Sequence, residues 1–442
     1  MIQYDDLNLA HSGADADSLA HYWRALRQFQ CYIEDPVAST DTAIGVRPDF
    51  VMAHVLKAYL LLLGTEPETT AIARDCHATA ARLSANARER GHIEAIGQLL
   101  DGKWHRAARV LEDVSIDNPC DALALQAGHV IDFYVGNSRM LRDRIARAMP
   151  AWSKTMPGYH AVLGMHAFGL EECADYARAE AMGRTAVELE PRDGWAQHAV
   201  AHVMEMQCRQ ADGIAWMRAD PDVWSTDSFF KVHLWWHLAL YHLELGEIDE
   251  VLALFDEHIY GDQSPLVLNM IDASAMLWRL HLRGIDVGQR WEAVADGWRP
   301  FTRAGNYAFN DVHAVMAFVG ARRADAVEEV LDSQQAVMRG AGDNASFTRE
   351  VGHPLTLALK AFGEERYNEA VHLIRPLREI AHRFGGSHAQ RDLLDLTLIE
   401  AALRAGQRNL AAALCAERLA LRTYSPLTRQ LFARVDPLRT AA

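Results

Sequence analysis

Cysteine is scarce in this chain: six residues in 442, at Cys31, Cys76, Cys120, Cys173, Cys208 and Cys415. No two stand in a Cys-x-x-Cys spacing, which removes the usual zinc and redox frameworks, and they are too sparse for a disulfide scaffold. Reduced, mostly buried thiols are expected. Runs of Lys or Arg are absent, and 44 basic residues face 59 acidic ones for a net charge of -15. Such a chain has no electrostatic footprint for phosphate backbones, so no nucleic acid and no anionic membrane is expected as a partner. The longest strongly apolar run, residues 58–63, is far shorter than the ~18 residues a membrane helix needs. The N-terminus lacks the basic start and apolar stretch of a signal peptide, and a cytoplasmic protein is expected. There is no Gly-x-Ser-x-Gly elbow, P-loop or dinucleotide fingerprint, so no nucleotide cofactor is indicated and the cofactor stays unknown. Alternating apolar and polar runs separated by hairpin signals are missing too, which predicts an all-α chain with no sheet.

What is present is self-similarity at a period of about 34 residues, the spacing of tetratricopeptide helix pairs. Each unit has large residues at positions 4 and 7 of its first helix, a small one at 8, a turn at 15 to 17, and a small residue at 20. The small residues let the two helices approach, and the large ones fill the seam. Gly102-Lys103-Trp104 with Ala107 marks one unit, starting near Arg88, with Ala95 at the small position. Asp175-Tyr176 with Ala179 marks a second, from His160. Cys208-Arg209-Gln210 with Gly213 marks a third from Gly194, although its turn lacks the usual Gly. Gly246-Glu247-Ile248 with Val251 marks a fourth from Val232, with Trp235, Leu238 and Ala239 at 4, 7 and 8. Arg366-Tyr367 with Ala370 and Gly406 with Ala411 mark two more. Residues 15–62, 122–150 and 307–332 are helical by pattern but fit the skeleton poorly, as degenerate repeats or caps would. Turn-rich segments at 219–228, 260–265 and 299–307 interrupt the array. The expectation is a tetratricopeptide-like α-solenoid, a superhelix of helix-turn-helix repeats, with residues 1–14 an extension and 15–442 one continuous domain.

Several strings exceed what repeat packing requires: Gly169-Leu170-Glu171-Glu172, residues 191–196 (PRDGWA), residues 198–203 (HAVAHV), residues 233–239 (HLWWHLA), Asp272-Ala273-Ser274, Asn310-Asp311-Val312-His313, and residues 384–392 (FGGSHAQRD). In these the chain resembles the tetratricopeptide repeat protein 38 family over most of its length. The resemblance implies a tetratricopeptide-like superhelix in soluble intracellular proteins and carries over no catalytic residue.

Histidine is abundant, with 21 copies, and two pairs stand at i,i+4: His198 with His202, and His233 with His237. In tetratricopeptide arrays positions 2, 5, 6, 9, 12 and 13 of the first helix line the concave groove. Counted from Gly194, His198, His202 and Glu205 fall at 5, 9 and 12; counted from Val232, His233, Trp236 and His237 fall at 2, 5 and 6. One exposed groove patch is therefore expected. His198, His202 and Glu205 share a helical face that could hold zinc or ferrous iron, although Ala199 stands where the familiar helical zinc motif has Glu. The same groups could act as acid and base without metal, with Trp236 as an apolar wall, or could do no more than hold a polar groove together. His166, at a seam position, reads as a core residue. Ser387 ahead of a helix reads as an N-cap or an anion site, with His388 and Arg391 as ligand-binding candidates. Two functions follow. One is a binding protein for a small molecule or peptide in a groove lined by His, Glu, Trp and Met rather than by the Lys, Arg and Asn of acidic-tail clamps. The other is a hydrolase or lyase using His198, His202, Glu205 and His237. The metal content is unknown, and homo-oligomerisation is left open.

Overall fold

The computed structural model describes residues 2–435. Helix follows helix from Ala16 onward, and consecutive helices joined by short turns pack on each other as hairpins: Ala16–Cys31 on Pro36–Val46, Val51–Leu63 on Thr70–Arg82, Ala87–Leu100 on Trp104–Asp117, Tyr159–Glu171 on Tyr176–Leu189, His353–Gly363 on Tyr367–Ile374. The fold is all-α and tetratricopeptide-like. Chain contacts divide it into two compact units. The first comprises the chain up to Val203 with Asp220–Lys231, and the second Met204–Ala219 with everything from Val232 on. The division falls inside the Gly194–Met206 helix.

The helix starts follow the repeat register to within a residue: Ala87, Tyr159, Gly194 and Lys231. The small positions close the hairpins. Ala95 and Ala239 are fully buried, and a Cβ on Gly213 would stand 2.4 Å from the Tyr241 ring, so only glycine lets the Gln210–Arg218 helix sit on that tyrosine. Gly102, Gly246 and Gly406 end their helices with φ of 71°, 82° and 72°. In the third unit Cys208 takes the same left-handed turn itself, at φ 56°. The hairpin thus closes without glycine, at a backbone cost of about 1 kcal/mol.

The expected absence of any sheet is corrected. Ile2–Tyr4 and Ala10–Ser12 pair antiparallel as a short ribbon. Three-residue strands are too short to show a period of two. The ribbon is tied to the first unit: Ser12 N donates to Glu89 Oε1 (2.7 Å), and Ala10 O accepts from Arg88 Nη2 (2.8 Å).

All six cysteines are free, and burial pushes their thiols above the ordinary range, furthest for Cys31. Dithiothreitol is therefore expected to leave the melting temperature unchanged; a large drop would reveal a disulfide.

Candidate functional site

In the first unit the Gly194–Met206 helix begins at Asp193, whose Oδ1 accepts from Ala196 N (2.9 Å) while Oδ2 meets His160 Nδ1 (2.7 Å). One turn on, His198 and His202 stand edge-to-face with ring centroids 4.3 Å apart. Both are buried, His202 completely. His198 stacks on Phe168 at 5.2 Å and meets Phe230 at 5.3 Å. Glu171, also fully buried, brings Oε2 to 3.6 Å from His202 Nδ1. One donor atom from each of Glu171, Glu172 and His202 lies within 4.8 Å of the others, a spacing one divalent cation can bridge.

In the second unit the Lys231–Leu245 helix presents His233, Trp236 and His237, all buried. His233 Nδ1 meets both oxygens of Asp272, each at 2.9 Å, and His237 Nδ1 meets Glu205 Oε2 at 3.2 Å. A carboxylate on Nδ1 fixes the ring and the tautomer, leaving the lone pair on Nε2. Burial first, then the charges of His233 and Arg279, hold His237 well below the ordinary imidazole range, so it is neutral at pH 7. Burial likewise raises the Asp272 carboxyl, against the pull of His233 and Arg279. His233 stacks on Trp236 (5.3 Å, 15°), and the Arg279 guanidinium lies 5.3 Å from the indole centroid. The Trp236 indole N–H is fully buried and meets no hydrogen-bond acceptor among the described residues. Glu205 and Arg279 also line a partly open cavity of about 40 Å³ in this unit.

The register therefore placed the candidates on the right helices and misjudged their exposure. Expected in an open groove, His198, His202, Glu205, His233, Trp236 and His237 are all enclosed. In the first unit Phe230, two residues beyond the turn-rich segment 219–228, covers His198. In the second the Val267–Leu282 helix supplies Asp272 and Arg279, and Arg422 approaches Glu205 at 3.6 Å. Within the second unit Glu205 engages His237 and Arg422, whereas in the first the carboxylate beside His202 is Glu171. Glu171 and Asp272 lay inside the strings that carry the family resemblance, but no spacing rule pointed from a histidine to a carboxylate 31 or 39 positions away.

Ser387 is a plain capping box: its hydroxyl accepts from Gln390 N (3.2 Å), and Gln390 Oε1 accepts from Ser387 N (3.0 Å). Arg391 donates to the Gly386 carbonyl of the same turn, His388 is exposed, and Asp392 is bound by Arg418 instead. His166 is buried, as its seam position implies. Asp311, in the Ala308–Gly320 helix, is pushed up to about 7 by burial, with only a long hydrogen bond from Gln334 (3.4 Å) opposing. A carboxyl raised from 3.8 keeps in the folded state a proton that the unfolded chain releases, so its stabilisation is complete below pH 3.8 and fades as the pH rises to about 7. Urea melts of Asp311→Asn against the parent should diverge across that window, the variant gaining relative stability; parallel curves would refute the assignment.

These features define an all-α, tetratricopeptide-like repeat protein with enclosed, carboxylate-oriented histidines. No protein-family profile matches the sequence. Among solved structures the chain is similar to a human IFIT1 dimer with m7Gppp-AAAA, at 14% identity and a TM-score of 0.40, covering 100% of this chain and 96% of that one. It is similar to yeast Tom70 at 12% identity and a TM-score of 0.33, covering 96% and 88%. The tetratricopeptide domain of P58(IPK) follows at 15% and 0.22, covering 89% and 99%. No described helix is long and apolar enough to cross a membrane.

Proposed function

We propose that this protein is a cytoplasmic relative of the tetratricopeptide repeat protein 38 family that binds a small organic molecule at the buried histidine face of its second unit. The observation that carries the reading is the Trp236 indole N–H, fully buried without an acceptor among the described residues, beside two imidazoles whose Nδ1 atoms are held by carboxylates. Buried donors are normally satisfied, and a polar ligand would satisfy this one. A neutral imidazole oriented by a carboxylate is also a competent general base, so the hydrolase or lyase reading uses the same His237–Glu205 dyad. A panel of small metabolites, grouped as carboxylates, phosphates, amines, neutral polyols and short peptides, tests the reading by thermal shift. At least one group should raise the melting temperature of the parent protein, and His237→Gln or Asp272→Asn should abolish the shift while circular dichroism stays helical. If no group acts, or the shift survives both substitutions, the reading falls.

A second reading is favoured by the Glu171, Glu172 and His202 donors of the first unit, which would hold a divalent cation. Elemental analysis of metal-replete protein should then show a stoichiometric transition metal that Glu171→Gln removes. Metal content unchanged by the substitution would dismiss it.

A further inference from the structure

We propose that the cavity of the second unit binds the carboxylate of a short-chain organic acid, held by Arg279 and Arg283. The inference rests on the ligand reading of the His237–Glu205 site, because Glu205 and Arg279 belong to both. Its ground is a charge inventory. Four arginines line the cavity, with Glu205, Glu244, Asp392 and Glu400 as the acids. Each acid is already engaged. Asp392 is clasped by Arg418, which donates twice, with Nη2 at 2.9 Å from Oδ2. Glu400 takes Arg404 (2.7 Å) and both Nη atoms of Arg434 (2.7 and 3.0 Å). Glu244 accepts from the Ser425 hydroxyl and from Leu427 N (3.3 Å). Glu205 accepts from His237 and has Arg422 at 3.6 Å.

Arg279 and Arg283 are left over. They stand i,i+4 at the end of the Val267–Leu282 helix and so face the same way. Arg279, 4% exposed, donates to two backbone carbonyls, Ala275 (3.3 Å) and Ala389 (2.7 Å), and has no carboxylate within 4.0 Å among the described residues. Arg283 Nη2 is buried and meets no acceptor among them. Burial lowers both guanidiniums to about 10, so both are still cations at neutral pH. Two cavity-facing cations that feel Asp392, Glu205 and Glu244 only from beyond ion-pair distance among the described residues can take an anion directly, and a planar guanidinium fork matches a carboxylate.

The cavity also sets the size and the character of the rest of the ligand. About 40 Å³ holds only a few water-sized groups at roughly 10–15 Å³ each. Leu240, Leu243, Leu282, Leu396, Leu427 and Leu431 supply its apolar wall, which suits a short alkyl chain and disfavours a fully hydrated dianion.

The experiment is calorimetric titration of the full-length protein at pH 7 with sodium propionate, with sodium phosphate and propylamine hydrochloride in parallel. Propionate should bind one to one. Arg279→Gln and Arg283→Gln should each weaken it about tenfold or more, the scale of losing a charge-assisted hydrogen bond. If Arg279→Gln fails to fold, Arg283→Gln, at a partly exposed position, decides alone. No propionate binding, undiminished binding in the folded variants, or tighter binding of phosphate or propylamine overturns the assignment. His237→Gln separates the two proposals. Propionate affinity that depends on the arginines but not on His237 keeps the anion site and removes the histidine reading. An uncharged ligand from the panel that depends on His237 but not on Arg279 does the reverse.

Discussion

Asp121→Ala is expected to destabilise the first unit by about 3–5 kcal/mol, the usual consequence of removing one partner from a buried ion pair. Asp121 is 1% exposed and gathers a network. Its Oδ2 accepts from Arg88 Nη1 (2.8 Å) and meets His92 Nε2 (2.9 Å), and its Oδ1 caps a helix by accepting from Ala124 N (3.0 Å). Without it, Arg88 is left as a buried cation, and the same arginine holds the N-terminal ribbon through the Ala10 carbonyl. Burial by itself would raise the Asp121 carboxyl, but the charges and hydrogen bonds of His92 and Arg88 hold it well below the carboxylate range. A depressed carboxyl stabilises the fold above its unfolded value of 3.8 and loses that contribution as the pH falls below it. The variant should therefore lose the portion of the parent's acid sensitivity that lies below about pH 4. Urea melts between pH 2 and 7 make the comparison. A loss under 1 kcal/mol at pH 7 would mean that Arg88 finds another partner.

Leu238→Ala should cost about 2–5 kcal/mol in the second unit, since Leu238 is wholly enclosed at a seam position and its removal leaves a cavity. His202→Ala makes the instructive comparison. Had the histidine lined an open groove, the change would cost no more than ~0.5 kcal/mol, as surface substitutions do. The structure buries His202 completely, with the enclosed Glu171 3.6 Å away. The substitution should then cost about 1–3 kcal/mol, because a buried carboxylate loses the imidazole facing it. Near-neutral melts for His202→Ala would return the residue to the surface. A cost matching Leu238→Ala would make it as much a packing residue as a candidate ligand.

Much of the local architecture was legible. Helix starts at Gly194 and Lys231, the buried alanines Ala95 and Ala239, and the glycine at 213 all follow from the spacing of large and small residues within one hairpin. The ribbon at Ile2–Tyr4 and Ala10–Ser12 was not, because three residues per strand carry no periodic signal. Nor were the partners of the histidines. His233 meets Asp272 across 39 positions, and Arg279 reaches the Ala389 carbonyl across 110.

The sequence by itself determined the hairpin: its period, its turns, which face of each helix enters the seam, and which histidines share a turn. Those properties depend on contacts at i, i+3 and i+4, and even Cys208, a non-glycine at a left-handed turn, left the register intact. Only the tertiary structure decided what lies over the face opposite the seam. Phe230 closes on His198, Asp272 and Arg279 flank the His233 face, and Arg418 binds Asp392. Burial sums contributions from segments tens to hundreds of positions apart, and desolvation together with the charges packed alongside sets the charge state of each enclosed group. A groove histidine and a core histidine have the same neighbours in sequence; the difference lies in what packs on top.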